Sequence, residues 1–184
     1  MNKTFKPERK VHFNILVLGH KDHGKGTFIK YANEFFCIPG ISSSVFMNDF
    51  VVFPKLAPLY GYQTPAECYA DRDAHRPEWF NIIAEANPTG IETAKSLLVD
   101  HVAYDGMRND FEYDACDRAG IFHMQFWVDA AQRKPLESEK SMKIKYNPQK
   151  MFLVDNNGPE EAMREFVRNL PVLKFIAEHD SRVL

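Results

Sequence analysis

No stretch of this chain approaches the roughly 18 consecutive apolar residues that a membrane-spanning helix needs. Cysteine is scarce: there are three in 184 residues, Cys37, Cys68 and Cys116, far apart and without paired spacing. Neither a disulfide framework nor a zinc site is indicated, and a reducing cytosol is the expected compartment. Neither sign of charge dominates. Lys and Arg number 23 against 25 Asp and Glu, a formal net charge of −2, so no overall basic field advertises a polyanion, although a local basic face stays open. Repeats, low-complexity tracts and domain linkers are missing, and the length suits one well-buried domain. The opening "MNKTFKPERKVHFNILVLG" superficially resembles a secretory signal. Its apolar core is short, contains Asn14 and meets His20–Lys25 with no small-residue cleavage site, so it reads as a basic arm entering a buried strand.

What is present is an alternation of apolar runs and helix-period segments, the pattern of an α/β fold with a mainly parallel sheet flanked by helices in three layers. "HFNILVLG" reads as the first strand, and Gly26 to about Phe36 as a helix. "CIPGISSS" reads as an irregular link. A helix from about Ser44 to Leu59 is interrupted by Pro54 and Pro58. "TPAE" starts the next helix, with Thr64 as cap and Glu67 three residues on. "RPEWFNIIAEANPTG" repeats the device and stops at "NPTG". A buried strand follows at about Asp100–Tyr104, then a helix from Asn109 to Ala119 stopped by Gly120. "IFHMQFWVD" is another strand, "AAQRKPLESEKSMKIKYNPQK" a loop or lid over 130–150, "MFLVDN" the last strand, and Pro159 opens the closing helix. The domain therefore divides into a strand and loop (10–40), a helical insertion (41–99) and the remaining core (100–184).

"GHKDHGKGT", Gly19 to Thr27, carries the G-x-x-x-x-G-K signature of a phosphate-binding loop, between a strand and a helix. Its glycines let backbone N–H groups turn inward around a polyphosphate, the lysine reaches the outer phosphates, and a helix N-terminus adds its positive end. The expected contacts to ATP are Gly19, His20, Lys21, Asp22, His23, Gly24, Lys25, Gly26 and Thr27. The residue after Lys25 is Gly26 rather than Ser or Thr, so "GKGT" resembles the adenylate-kinase style of loop. That resemblance implies a small kinase with Thr27 near the phosphates and Mg2+. A GTPase is disfavoured, also because no N-K-x-D segment occurs. His20 and His23 are read as phosphate contacts or solvent-facing groups rather than a metal pair. Asp22 is out of place in an anion site; it points outward, pairs with Lys21 or acts on the acceptor side.

"YDGMRNDFEYDAC" puts Asp105 at the carboxyl end of a strand, where parallel sheets place their ligands. A carboxylate there holds Mg2+ through water or takes a proton from the acceptor. Arg108 and Glu112, four apart at a helix start, are spaced to pair on one face. The order D-x-x-R-x-x-x-E-x-D-A, here Asp105, Arg108, Glu112, Asp114 and Ala115, resembles phage deoxynucleoside monophosphate kinases, over about Val11–Phe36 and Asp100–Leu170. The resemblance implies a P-loop kinase fold of the nucleoside monophosphate kinase kind and places Asn156 and Asn157 near the adenine. Arg133, with Lys134, opens the lid.

The insertion is rich in aromatics, with a basic cluster Arg72, His75 and Arg76 suited to phosphates and Trp79 suited to stacking. Arg72 and Arg76, four apart, would share a helix face. Phe46, Phe50, Phe53 and Phe80 read mostly as core. Ser42, Ser43 and Ser44 lie where the chain leaves the sheet, an acceptor-contact position. The succession "SSS…F", "FPKLAPLYGY", "DRDAHRPEWF" resembles phage 5-hydroxymethyluracil DNA kinases, which phosphorylate a hydroxymethyl group on a base in DNA within the infected bacterial cytoplasm. The resemblance implies an alcohol acceptor on an extruded base. Such a hydroxyl needs a carboxylate base, for which Asp49, Asp71 and Asp105 are the candidates. The sparse lid favours the same acceptor. The alternatives are a free deoxynucleoside monophosphate as acceptor, and a nucleotide-binding module without turnover.

Overall fold

The computed structural model describes residues 11–134 and 142–183; the basic arm and the middle of the expected lid lie outside them. Five parallel strands form one sheet in the order β2-β3-β1-β4-β5: β1 Ile15–Leu18, β2 Gly40–Ser42, β3 Ala103–Asp105, β4 Met124–Asp129 and β5 Phe152–Asp155. Every strand runs the same way, so every carboxyl end opens on one edge. The strand order reverses around β1, and such a switch point is where open α/β sheets leave a crevice.

Alternating side chains feed two faces. Ile15 and Val17 join Phe126, Val128 and Val154 under α1 (Lys25–Phe36) and the helices α8 (Glu160–Arg168) and α9 (Pro171–His179). Leu16, Leu18, Tyr104 and Trp127 face the other way, against α6 (Glu92–Leu97) and α7 (Asp110–Arg118). Ile144 and Met151, from the stretch between β4 and β5, complete that second core. The layers are therefore helix, sheet, helix. The helical insertion contains α2 (Ser43–Met47), a π-helical turn Asn48–Val52, α3 (Phe53–Tyr60), α4 (Pro65–Ala70) and α5 (Arg76–Ala86). It has a small core of its own: Val52, Leu56, Cys68 and Trp79.

Several expectations are corrected. "GIS" within the supposed link is strand β2, pairing with β3. The helix over Ser44–Leu59 is not simply interrupted at its prolines. It widens into the π turn just ahead of Pro54, whose missing N–H leaves a carbonyl without its helical partner, and then continues with Pro58 inside α3. The strand expected at Asp100–Tyr104 is shorter and later, Ala103–Asp105. The closing helix is two helices, broken before Pro171. Phe50 and Phe80 are 67% and 73% exposed rather than core.

Two features outside the site matter later. Arg182 closes the edge of the sheet opposite the crevice. Its guanidinium donates to Asp180 (Nε to Oδ1, 2.9 Å; Nη2 to Oδ2, 2.6 Å), to the Asn14 side chain and to the carbonyls of Phe13, Leu98 and His101. Asp180 also accepts the Phe13 N–H at 2.6 Å. The other is Cys37, the exposed cap of α1 in the left-handed conformation, φ 53°. Cys68 and Cys116 are buried. Among the described residues no helix is long and apolar enough to cross a membrane.

Candidate active site

The glycine loop Gly19–Gly24 leaves β1 and ends in α1, and two of its glycines are demanded by close packing. Gly19 (φ 138°) and Gly24 (φ 99°) have no room for a Cβ, which would sit 2.4 Å from the Val128 carbonyl oxygen and 2.3 Å from the Asn156 amide nitrogen. Asp22 adopts φ 60° without being glycine, a conformation Asp tolerates better than most residues. Lys25 folds back so that its ammonium donates to the His20 carbonyl at 2.8 Å.

The loop's shape is held from beneath by two residues that were given other roles. His23 is 1% exposed. Its Nδ1 accepts the Ala130 N–H at 3.0 Å, and its Nε2 lies 3.1 Å from the Lys134 carbonyl, which can only accept. Those partners assign a neutral ring protonated on Nε2, with both nitrogens taken up by protein. His23 is therefore a brace rather than a phosphate contact or a solvent-facing group. Asn156 is likewise buried, donating from its amide to the His23 carbonyl at 2.8 Å. His20 packs edge-on against Trp127, ring centroids 5.6 Å apart.

Above the loop opens a cleft of about 960 Å³. One wall is Lys21, Asp22 and Gly24–Thr27; the other is Ser42–Ser44, Tyr69, Arg72, Arg76, Trp79 and Phe80. Asp105 and Arg108 come from the carboxyl end of β3 and just beyond it, β3 being the strand between β2 and β1, and Tyr104, Asn109, Thr93 and Glu112 also line the cleft. The parallel register sets Ser42 beside Asp105. Gly26, exposed and among the residues lining the cleft, has open space where a Cβ would stand. Asp105 is 8% exposed. Burial raises its pKa above the ordinary carboxylate value, against the opposing charges of Lys25 and Arg108. A buried carboxylate with raised proton affinity has the chemistry of a base.

The other acceptor candidates divide. Arg72 and Arg76 reach the cleft although they share no helix, because residues 71–75 form turns and Arg76 begins α5. Arg72 lies over the rings of Tyr69 and Trp79, 5.0 and 5.9 Å from their centroids, and donates to the Tyr69 hydroxyl at 3.3 Å. Arg76 donates to Asp73 at 2.7 Å. Asp73 is held below the usual carboxylate range chiefly by Arg76, with Arg72 and Lys21 adding to it. Ser44 Oγ lies 3.0 Å from the Tyr69 hydroxyl and 3.1 Å from Ser42 Oγ. Sequence reasoning missed Tyr69; it is the sole aromatic of the short helix α4, and its spacing carries no signal that sets it apart.

His75, Asp71 and Asp49 do not line the cleft. His75 stacks on Tyr60 at 4.0 Å and faces Asp71 at 3.3 Å, and Asp71 also accepts from Tyr62 at 2.7 Å. Asp49 accepts from Asn48 at 2.8 Å. Of the three proposed bases only Asp105 is on the cleft. Arg133 and Asn157 are outside it too, near one another beyond β4 and β5, where Asn157 accepts the Gln132 N–H at 2.8 Å. The Arg108–Glu112 helix pair is corrected as well. Arg108 precedes α7, and Glu112 is buried, accepting from Tyr104 at 2.7 Å and with its N–H capped by Asn109. Burial raises the Glu112 carboxyl, offset in part by Tyr104 and Asn109.

Among the described residues no group of three or more His, Cys, Asp and Glu could cage a metal. Mg2+ on nucleotide phosphates needs only one or two protein oxygens, the remainder coming from phosphate and water. The Thr27 hydroxyl and the Asp105 carboxylate, both on the cleft, fit that donor set.

No protein-family model matches the sequence, and no curated protein matches it. Among solved structures the chain is similar to a gluconokinase from Sinorhizobium meliloti, at 13% identity and TM-score 0.47, covering 92% of this chain and 96% of that one. It is also similar to a sugar kinase from Janibacter, at 8% identity and TM-score 0.46, covering 91% and 98%. Likenesses this distant carry no functional weight. The cleft is read from its own residues.

Proposed function

We propose that the protein is a P-loop kinase that transfers the γ-phosphoryl group of ATP to a hydroxyl on a nucleotide-type acceptor. The acceptor we favour is the 5-hydroxymethyl group of 5-hydroxymethyluracil in DNA. One observation carries the reading: a single cleft is walled on one side by the phosphate loop and on the other by serines, arginines and aromatics, with a buried carboxylate between them.

In this reading the amides of Gly24–Thr27 hold the β- and γ-phosphates, and Lys25 leaves the His20 carbonyl to neutralise the charge gathering on the transferring group. Asp105 takes the acceptor's hydroxyl proton as the oxygen attacks phosphorus, and Arg108 beside it steadies the equatorial oxygens. Thr27 and Asp105 would hold Mg2+, which screens the phosphates and draws charge from the leaving oxygen. The aromatic rim, including exposed Phe80, supports an unstacked base better than a bare phosphate. The sequence resemblance of the insertion supports the choice of polymeric acceptor.

The test is [γ-32P]ATP with an oligonucleotide carrying 5-hydroxymethyluracil, the same oligonucleotide with thymine, and free dTMP and dGMP. Label on the modified oligonucleotide alone is expected, and Lys25→Ala should abolish it while the protein remains folded. Label on dTMP or dGMP instead would make the protein a monophosphate kinase. No label on any acceptor would overturn phosphoryl transfer itself.

A further inference from the structure

A run of hydrogen bonds on the acceptor wall begins at a group that can only donate. The Arg72 guanidinium has protons to give and no lone pair to offer. It donates to the Tyr69 hydroxyl oxygen at 3.3 Å, so the single Tyr69 proton is available for its other neighbour, Ser44 Oγ, at 3.0 Å. Ser44, accepting from Tyr69, directs its own proton to Ser42 Oγ at 3.1 Å. With that direction, Ser42 would accept from Ser44 and keep its own proton for the cleft that it lines. It lies beside Asp105, with which it is paired in the parallel register. The two side chains flanking the reaction locus thus have opposite polarity: Asp105 takes a proton and Ser42 gives one.

Resting on the phosphoryl-transfer reading, we propose that Arg72, Tyr69 and Ser44 are positioning residues that polarise Ser42 as a hydrogen-bond donor. Ser42 in turn selects acceptors with a carbonyl oxygen next to the reacting hydroxyl. 5-Hydroxymethyluracil presents that pair, the 4-carbonyl adjoining the hydroxymethyl arm. 5-Hydroxymethylcytosine presents an amino group at the same place, and two donors would then face each other across a site already closed to the reverse orientation. Arg72 here acts through Tyr69. Its guanidinium, stacked over Tyr69 and Trp79, supplies fixed direction to a chain of otherwise rotatable hydroxyls.

Tyr69→Phe removes one oxygen and keeps the ring that Arg72 and Trp79 pack against. Expected are an unchanged KM for ATP and a fall of roughly tenfold in kcat/KM for a 5-hydroxymethyluracil oligonucleotide. The preference for it over the 5-hydroxymethylcytosine oligonucleotide should collapse toward one, because Ser42 becomes free to turn. Ser44→Ala should reproduce this and Ser44→Thr, which keeps the hydroxyl, should not. A uracil-to-cytosine preference that survives Tyr69→Phe intact would overturn the proposal, as would a wild-type protein that uses both bases equally.

If the wild-type protein phosphorylates neither oligonucleotide, the catalytic reading fails by itself, and the relay is decided without substrate. Arg72→Gln and Ser44→Ala, whose side chains are linked through the Tyr69 hydroxyl, should shift the urea midpoint by less together than the sum of their separate shifts. Both effects should become independent in a Tyr69→Phe background. Additive shifts with Tyr69 present would refute the relay.

Discussion

Arg182→Ala tests whether the far end of the sheet is held as the geometry says. The guanidinium is 7% exposed and its partner carboxylate 0%, and the substitution leaves Asp180 as a buried charge whose remaining donors among the described residues are the main-chain N–H groups of Phe13 and residue 182. The carbonyls of Phe13, Leu98 and His101 lose a donor at the same time. Breaking a buried pair by deleting one partner costs about 3–5 kcal/mol. For a domain of this size that lowers Tm by about 6–20 °C. Thermal and urea unfolding measure it, with ATP binding as the control, since the pair packs at the amino end of β1 and the glycine loop leaves its carboxyl end. Replacing both partners by apolar residues, Asp180→Leu with Arg182→Met, should recover only the part due to the orphaned charge, because the Phe13 N–H and the carbonyls of Phe13, Leu98 and His101 still lose their partners. The pH dependence has a definite sign. Burial alone would raise the Asp180 carboxyl, but hydrogen bonds from Arg182, Phe13 N–H and Arg182 N–H, with the guanidinium charge, hold it below the ordinary value. Its stabilisation is therefore complete above the unfolded value of about 3.9 and disappears as pH falls through the lower folded value. A loss below about 1 kcal/mol, of the size expected for a surface pair, would refute the account.

The remaining expectations concern the cleft. Gly26→Ala adds a methyl group where no protein atom stands within 4 Å; stability should rise by up to about 1 kcal/mol, while kcat/KM for ATP falls because the methyl occupies the ligand's space. Asp105→Asn should abolish transfer yet raise Tm at neutral pH. A carboxyl whose folded pKa is raised costs stability once ionised, so the gain should vanish as pH drops below the unfolded value. His23→Ala leaves the buried Ala130 N–H without its acceptor, costing about 1–3 kcal/mol, and should raise the KM for ATP through a slackened loop. Unfolding curves and ATP titrations of the three variants decide each case.

Sequence alone placed the strand–loop–helix unit around Gly19–Thr27 because its pattern is local: an apolar strand, glycines, a lysine and a following helix are contiguous. Asp105 was legible for a similar reason, as a carboxylate at the end of an apolar strand. What stayed hidden depends on residues distant in sequence. His23 reads as a ligand until Ala130 and Lys134 are seen across its ring, and Asn156 reads as a base contact until its amide is found on the His23 carbonyl. Strand β2 is three residues with a glycine at its head, too short for any periodicity to register. Arg72 and Arg76 have helical spacing but sit in and after a turn, and they meet at the cleft through folding of the insertion rather than through a shared face. Phe50 and Phe80 carry no sequence sign that distinguishes an exposed aromatic from a core one.

The free thiol at the end of α1 has a practical consequence. Burial pushes Cys116 up to about 12 and raises Cys68 as well, so a maleimide dye would find Cys37 without any engineering. That thiol caps the same helix whose first turn faces the cleft, twelve residues away along a rigid rod. A fluorophore placed there reports from outside the binding region on whether the rod tilts when nucleotide arrives.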